Sequence, residues 1–400
     1  MGKTRLLTHR TLSWRQPLLL LSRAFRPFFL LTLCWGLLAL ILWLLFLNGI
    51  LVSGWLQIPS VLWHGRAMIF AYGAAVVCGF LLTAASNWSG RPTLQGGPLL
   101  LIATAWVVSR IGPWIGSPAG WLLALVADGI FWGGFIIGLS RPLLATKDTK
   151  NFWTFVPKLV VFALAAIGFD SGGLSATVAP WQSTLLLLGL LMMVAIIIAM
   201  GIRIIPFFIS QALQIKFPPR HFGAEEVIDL IAMSGFVISL LLWPNNPIVT
   251  ICAVVAVVVN GRRLWRWYDP AIWQRPMLWI LFLGFASLLL GILLLGFTAI
   301  AWVPYYPALH ALAYGGVGLM TVGMMVRVSL GHTGRSVLQA PPQATAAFVA
   351  LVGGTVLRVA GPWLDPAHTP HYLMYAGLLW ILAMALLLWL LLPILLRPRV

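Results

Sequence analysis

The run PFFLLTLCWGLLALILWLLFL, residues 27–47, holds no charged side chain and a single hydroxyl in 21 positions. About 20 consecutive apolar residues cross the hydrocarbon of a bilayer as a helix, because lipid offers no partner to an unpaired backbone N–H or C=O. Comparable runs follow at 62–85, 98–113, 119–139, 153–170, 181–205, 224–244, 246–260, 276–301, 305–329, 343–363 and 371–395. The eighth run is short enough to be tilted or re-entrant. Between the runs stand helix breakers such as Pro118, Pro180, Asn245-Asn246-Pro247, Asp269-Pro270 and Pro341-Pro342. Hydrophobic residues make up 61% of the 400 and charged residues 8%, a balance that excludes a water-soluble domain. The chain reads as an all-α, polytopic bundle of about twelve transmembrane helices. Residues 1–26 form a basic tail and residues 27–396 a single bundle domain.

The basic residues fall in every second gap. With the N-terminus in the cytoplasm, the inner regions carry Lys3, Arg5, Arg10, Arg15, Arg23 and Arg26, then Arg91, then Arg141, Lys147, Lys150 and Lys158. Further along come Arg203, Lys216 and Arg220, then Arg262, Arg263, Arg266 and Arg275, then Arg327 and Arg335, and last Arg397 and Arg399. The loops near 48–60, 171–180, 245–246 and 302–304 have no Lys or Arg. This positive-inside pattern places both termini in the cytoplasm of an inner-membrane, multi-pass protein. It also accounts for the net charge of +17 without nucleic acid, since basic residues beside spans meet anionic membrane lipid and tryptophans anchor the interface. Cys34, Cys78 and Cys252 fall singly within spans and read as small core residues. Residues 27–47 are a full span with no A-x-A-like cleavage site, so they are not a removable signal.

Charge inside a bilayer is costly, so the few ionisable groups within spans are the candidate functional residues. His64 and Arg66 open the second span, and His310 opens the tenth at the same outer level. Arg110 and Arg358 end or nearly end the third and eleventh, and Asp128 lies closer to mid-span. Imidazoles on two helices suit axial ligation of a haem iron, with arginines at that depth pairing with propionates. The plainer reading is a pair of interfacial histidines bonding carbonyls, with Arg110 and Arg358 snorkelling to headgroups. Met68 follows His64 by one turn, and Met320 and Met324 share the helix of His310 and Tyr314. Thioether with imidazole suits copper(I), while a methionine stripe also packs a core. Ala67, Ala71, Ala75 and Gly79, four apart, let a neighbouring helix come close. After the tenth span, Gly331-His332-Thr333-Gly334-Arg335 is either a helix stop with a basic loop or a contact for an anion or partner.

Several of these residues stand in a familiar order. Arg26-Pro27-Phe28-Phe29-Leu30 opens the first span, and Trp63-His64 with Met68 opens the second. Gly79-Phe80-Leu81-Leu82-Thr83-Ala84, Asn87-Trp88 and Gly90-Arg91-Pro92 close it, and Arg203-Ile204-Ile205-Pro206-Phe207-Phe208 closes the sixth. His310-Ala311-Leu312, Gly315, Gly318, Met320-Thr321, Met325 and Arg327 lead to Leu330-Gly331-His332-Thr333-Gly334-Arg335. Over nearly the whole chain this set resembles the NnrS family. The resemblance implies a bacterial inner-membrane protein associated with haem and copper, linked to denitrification and to resistance to nitric oxide and nitrosative stress. His64, His310 and His332 match the family pattern, as do Arg110, Arg203, Arg327 and Arg358. Where the family usually reads Trp-His-x-His-Glu-Met, this chain has Arg66 and Ala67, and a histidine common early in the ninth span is Phe282. Those replacements predict weak copper binding or none, while two outer-layer histidines still suffice for one haem.

The leading expectation is therefore a haem-binding membrane protein of the nitric oxide response. Whether it is an enzyme stays open, and the sequence identifies no electron donor. Two other readings stand beside it. Twelve spans with a polar layer suit a transporter, although no paired inverted halves are found and acids for ion coupling are few. A sensor or assembly partner that has lost part of a metal site also fits Arg66, Ala67 and Phe282.

Overall fold

The computed structural model describes residues 19–217 and 223–400. Lys3, Arg5, Arg10, Arg15, Pro218-Pro219 and Arg220 lie outside the described residues. The described residues form twelve long helical rods: α1 (Phe25–Leu47), α2 (Ser60–Ser89), α3 (Gly96–Ile111), α4 (Pro118–Ala145), α5 (Thr149–Ser171), α6 (Gln182–Leu213), α7 (Ala224–Leu242), α8 (Pro247–Arg266), α9 (Pro276–Thr298), α10 (Tyr305–His332), α11 (Pro342–Leu364) and α12 (Thr369–Leu396). Every span expected from hydropathy has its helix, and several run longer. The eighth is a full helix of 20 residues, not a re-entrant piece. Proline opens α4, α8, α9 and α11 at the first turn, where its missing N–H costs nothing. Ser117 and Asn246 cap α4 and α8 by accepting from Gly120 N and Ile248 N.

Eleven rods are long and apolar enough to cross a membrane, which makes the chain a multi-pass membrane protein. The twelfth, α7, carries Glu225, Glu226 and Asp229 in its first two turns. These meet α8: Arg266 donates to Glu225 at 3.0 Å, Arg263 lies 3.7 Å from Glu226, and Arg263 also donates to Asp229. The acids of α7 are thus neutralised before the apolar part of the helix begins.

Two rods lie at the centre. The most apolar windows of α2 and α10 are 78% and 83% buried, while none of the other nine exceeds 67%. They touch through Tyr72 and Thr321, whose hydroxyls are 3.1 Å apart. The four-apart row on α2 is packing surface: Ala67, Ala71 and Ala75 are buried, and Gly79 lies against Phe28 and Phe29 of α1. Each central rod also widens into a π turn, at Ala67–Gly73 in α2 and Ala311–Gly318 in α10. Such turns are rare and recur at functional sites. Around the α2 turn, Trp35 Nε1 donates to Ala67 O at 2.9 Å, Trp106 Nε1 to Ala71 O at 3.2 Å and Arg110 Nη1 to Phe70 O at 2.8 Å. In apolar surroundings those side-chain donors give the carbonyls partners that lipid cannot supply.

Candidate functional site

Between the two π turns lies a cavity walled by six helices. Trp43 comes from α1, His64, Met68 and Tyr72 from α2, Met193 from α6, His310 and Tyr314 from α10, Arg358 from α11, and Trp380 from α12. The cavity has a volume of about 80 Å³. One water needs roughly 10–15 Å³ of such space, so the cavity holds several. A larger ligand requires the walls to give, and Met68 and Met193 are flexible enough to do so.

The histidines are held in different ways. His310 Nδ1 is 2.9 Å from the carbonyl of Tyr306. A carbonyl only accepts, so Nδ1 carries the proton and Nε2 keeps its lone pair. Arg358 Nη2 donates to that Nε2 at 3.2 Å. A histidine that ligates a metal typically donates its other nitrogen in this way, which fixes tautomer and ring orientation. His64 stacks on Trp43, with ring centroids 4.3 Å apart and planes at 17°. Its Nδ1 is buried and has no hydrogen-bond partner among the described residues. A buried polar atom without a partner costs free energy, so an orphan of this kind marks a place for a missing ligand or water. Tyr314 donates to Ala376 O at 2.9 Å and closes the cavity toward α12.

The other candidates lie elsewhere. Arg66 makes a two-point pair with Asp170, Nε to Oδ1 at 2.6 Å and Nη2 to Oδ2 at 2.8 Å, and lies 3.7 Å from Asp128. Arg110 donates to Asp128 and to Ser109 Oγ. These two arginines and two aspartates form a charge-balanced cluster among α2, α3, α4 and α5, with side chains no more than 3% exposed. Arg110 is therefore not brought together with the histidines and does not line their cavity. Asp170 is a residue of this cluster that the pattern of spans does not single out. At the end of the fifth span it reads as an interfacial acid, and its pairing lies 104 positions away. A cue was present: only eight Asp and Glu occur in the chain, and an acid within or beside a span needs a cation.

Met320 and Met324 are also away from the histidines. With Met200 and Met325 they line a second cavity whose one polar wall residue, Thr321, bonds Tyr72 on the wall of the first. Phe282 packs against Tyr268 and Trp273, near the α8–α9 connection. Arg203 donates to Asn151 and Thr154 of α5. Arg327 stacks on Phe208, 3.6 Å from the ring centre, and its Nη1 has no hydrogen-bond partner among the described residues. His332 and Arg335 lie at the far end of α10. Among the described residues no three His, Cys, Asp or Glu side chains gather as a metal cluster. Outside the spans, the hydrogen bond with His368 at 2.8 Å holds the Asp365 carboxyl below its ordinary range.

The family model described as NnrS protein matches residues 19–399. No curated protein matches the chain.

Proposed function

The chain belongs to the NnrS family, and from that premise we propose that it is a haem-binding protein of a bacterial inner membrane, serving nitric oxide tolerance or denitrification. The cavity between the π turns of α2 and α10 is its site. One observation carries the reading: two imidazoles on separate central helices meet at one cavity, one with an orphaned nitrogen and the other with its lone pair on Nε2, where a metal would take the place of the Arg358 hydrogen bond. The donor chemistry fits haem, with two neutral imidazoles, aromatic and aliphatic walls, and one guanidinium at the rim for a propionate. Haem, when bound, supplies an iron that takes diatomic gases and exchanges electrons.

The remaining roles belong to the chain. Tyr306 O keeps His310 in the ligating tautomer. Trp43 fixes the plane of His64. Arg358 holds His310 Nε2 and is the cation available to an anionic group. Copper is retained weakly if at all. Met68 and Met193 share the cavity with His64 and His310, but Arg66, which stands where the family has a second histidine, is committed to Asp170.

His64→Ala and His310→Ala test this reading through pigment per purified chain. Each single change is expected to shift the Soret band, and the double change to remove it while the chain stays in the membrane at wild-type level. Full haem content in the double variant would assign the haem to other residues.

A further inference from the structure

At the end of α10 opposite the cavity mouth, segments far apart in sequence converge. Arg23, ahead of α1, has Nη1 3.0 Å from His332 Nδ1, across 309 positions. Guanidinium only donates, so this ring nitrogen accepts. Phe25 packs on the same imidazole, with centroids 5.5 Å apart. Arg26 donates to Leu395 O at 2.5 Å and Arg397 O at 2.9 Å, placing its charge on the last carbonyls of α12. It lies within electrostatic reach of Arg23 and Arg335, as His332 does of Arg23 and Arg399. Gly334, at φ +82°, turns the backbone there, and Val400 N donates to Thr333 O at 3.0 Å. The Gly331–Arg335 motif is thus one wall of a cradle lined by Arg23, His332, Arg335 and Arg399.

No acid side chain serves this cradle. The chain's eight Asp and Glu lie on α4, α5 and α7 and in the loops at 148, 269 and 365. The contrast with α8 is direct, since Arg263 and Arg266 there are answered by Glu225, Glu226 and Asp229. Several cations held close together with no acid side chain beside them repel one another, and an anion relieves that repulsion. Beside three helix ends of a membrane bundle, the anion at hand is a lipid phosphodiester, and basic pockets between spans take such headgroups.

We infer that the cradle formed by Arg23, His332, Arg335 and Arg399 binds the headgroup of an anionic phospholipid. The site is separate from the histidine cavity and does not depend on haem.

The test uses the full chain in neutral detergent, with phosphatidylglycerol, phosphatidylcholine or inorganic phosphate added. Phosphatidylglycerol should raise the unfolding midpoint and phosphatidylcholine should not. Arg23→Gln with Arg335→Gln should lose most of that rise. Arg262→Gln with Arg275→Gln, an equal loss of charge outside the cradle, should keep it. Native mass spectrometry of the wild-type chain should show retained phosphatidylglycerol in preference to phosphatidylcholine, so the test does not depend on the variant folding. Equal response to both lipids, or equal loss in the two double variants, would overturn the site. A rise reproduced by inorganic phosphate alone would replace the lipid with a soluble anion.

Discussion

Among single residues, Arg66 and Asp170 decide how the buried polar layer is built. A bidentate guanidinium–carboxylate pair is strong, yet both ions have left water, so the pair matters most when one member is removed. Arg66→Leu or Asp170→Asn leaves a charge or a half-used donor in the bundle, at a cost of about 3–5 kcal/mol. Thermal unfolding in one detergent should show both single variants well below wild type. Arg66→Met with Asp170→Leu should recover much of the loss, because it removes both ions together. A double variant as unstable as the worse single would contradict this account of the pair. The same residues mark the limit of what the sequence discloses. His64, His310, Met68, Tyr314 and Arg358 were all legible as polar or soft groups placed where lipid does not welcome them, and the structure gathers them on one cavity. Arg66 and Arg110 looked equivalent to Arg358 on the same grounds. They differ because α4 and α5 bring carboxylates to them, and the approach of one helix to another is written in no local pattern.

At the scale of elements, the spans were legible because each is a local event: a run of apolar residues ended by proline, asparagine or charge. The π turns were not. Ala67–Gly73 and Ala311–Gly318 have the composition of ordinary membrane helix, and nothing in their sequence marks the widening. One contact with these turns can be probed. A Cβ on Gly291 of α9 would lie 2.5 Å from the backbone N and Cα of Leu312, inside the α10 π turn. Backbone atoms cannot move aside as a side-chain tip can, so Gly291→Ala should cost about 1–3 kcal/mol. Gly133→Ala on α4, where nothing lies within 4 Å, should be neutral or gain roughly 0.5–1 kcal/mol from helix propensity. Unfolding midpoints of the two variants, measured side by side, check this, and equal midpoints would refute the close approach.

At the scale of the whole molecule, the twelve-rod architecture was legible from hydropathy, while the fall of Lys and Arg gives an expectation of sidedness. The placement of α2 and α10 at the centre was hinted at by their small residues, but it took the packing of all neighbours to establish it. The positive-inside reading predicts that position 336 faces the cytoplasm and position 367 the opposite side. In a chain freed of Cys34, Cys78 and Cys252, Ser336→Cys should resist an impermeant thiol reagent in intact cells. Ala367→Cys should react. The reverse pattern would invert the bundle and put the histidine cavity on the inner side. The central claim is that this cavity carries haem, and the visible spectrum of the full chain purified from haem-replete cells tests it most directly. A Soret band that sharpens on reduction and shifts when nitric oxide is added is the predicted result. A well-folded protein with no Soret absorbance would contradict it.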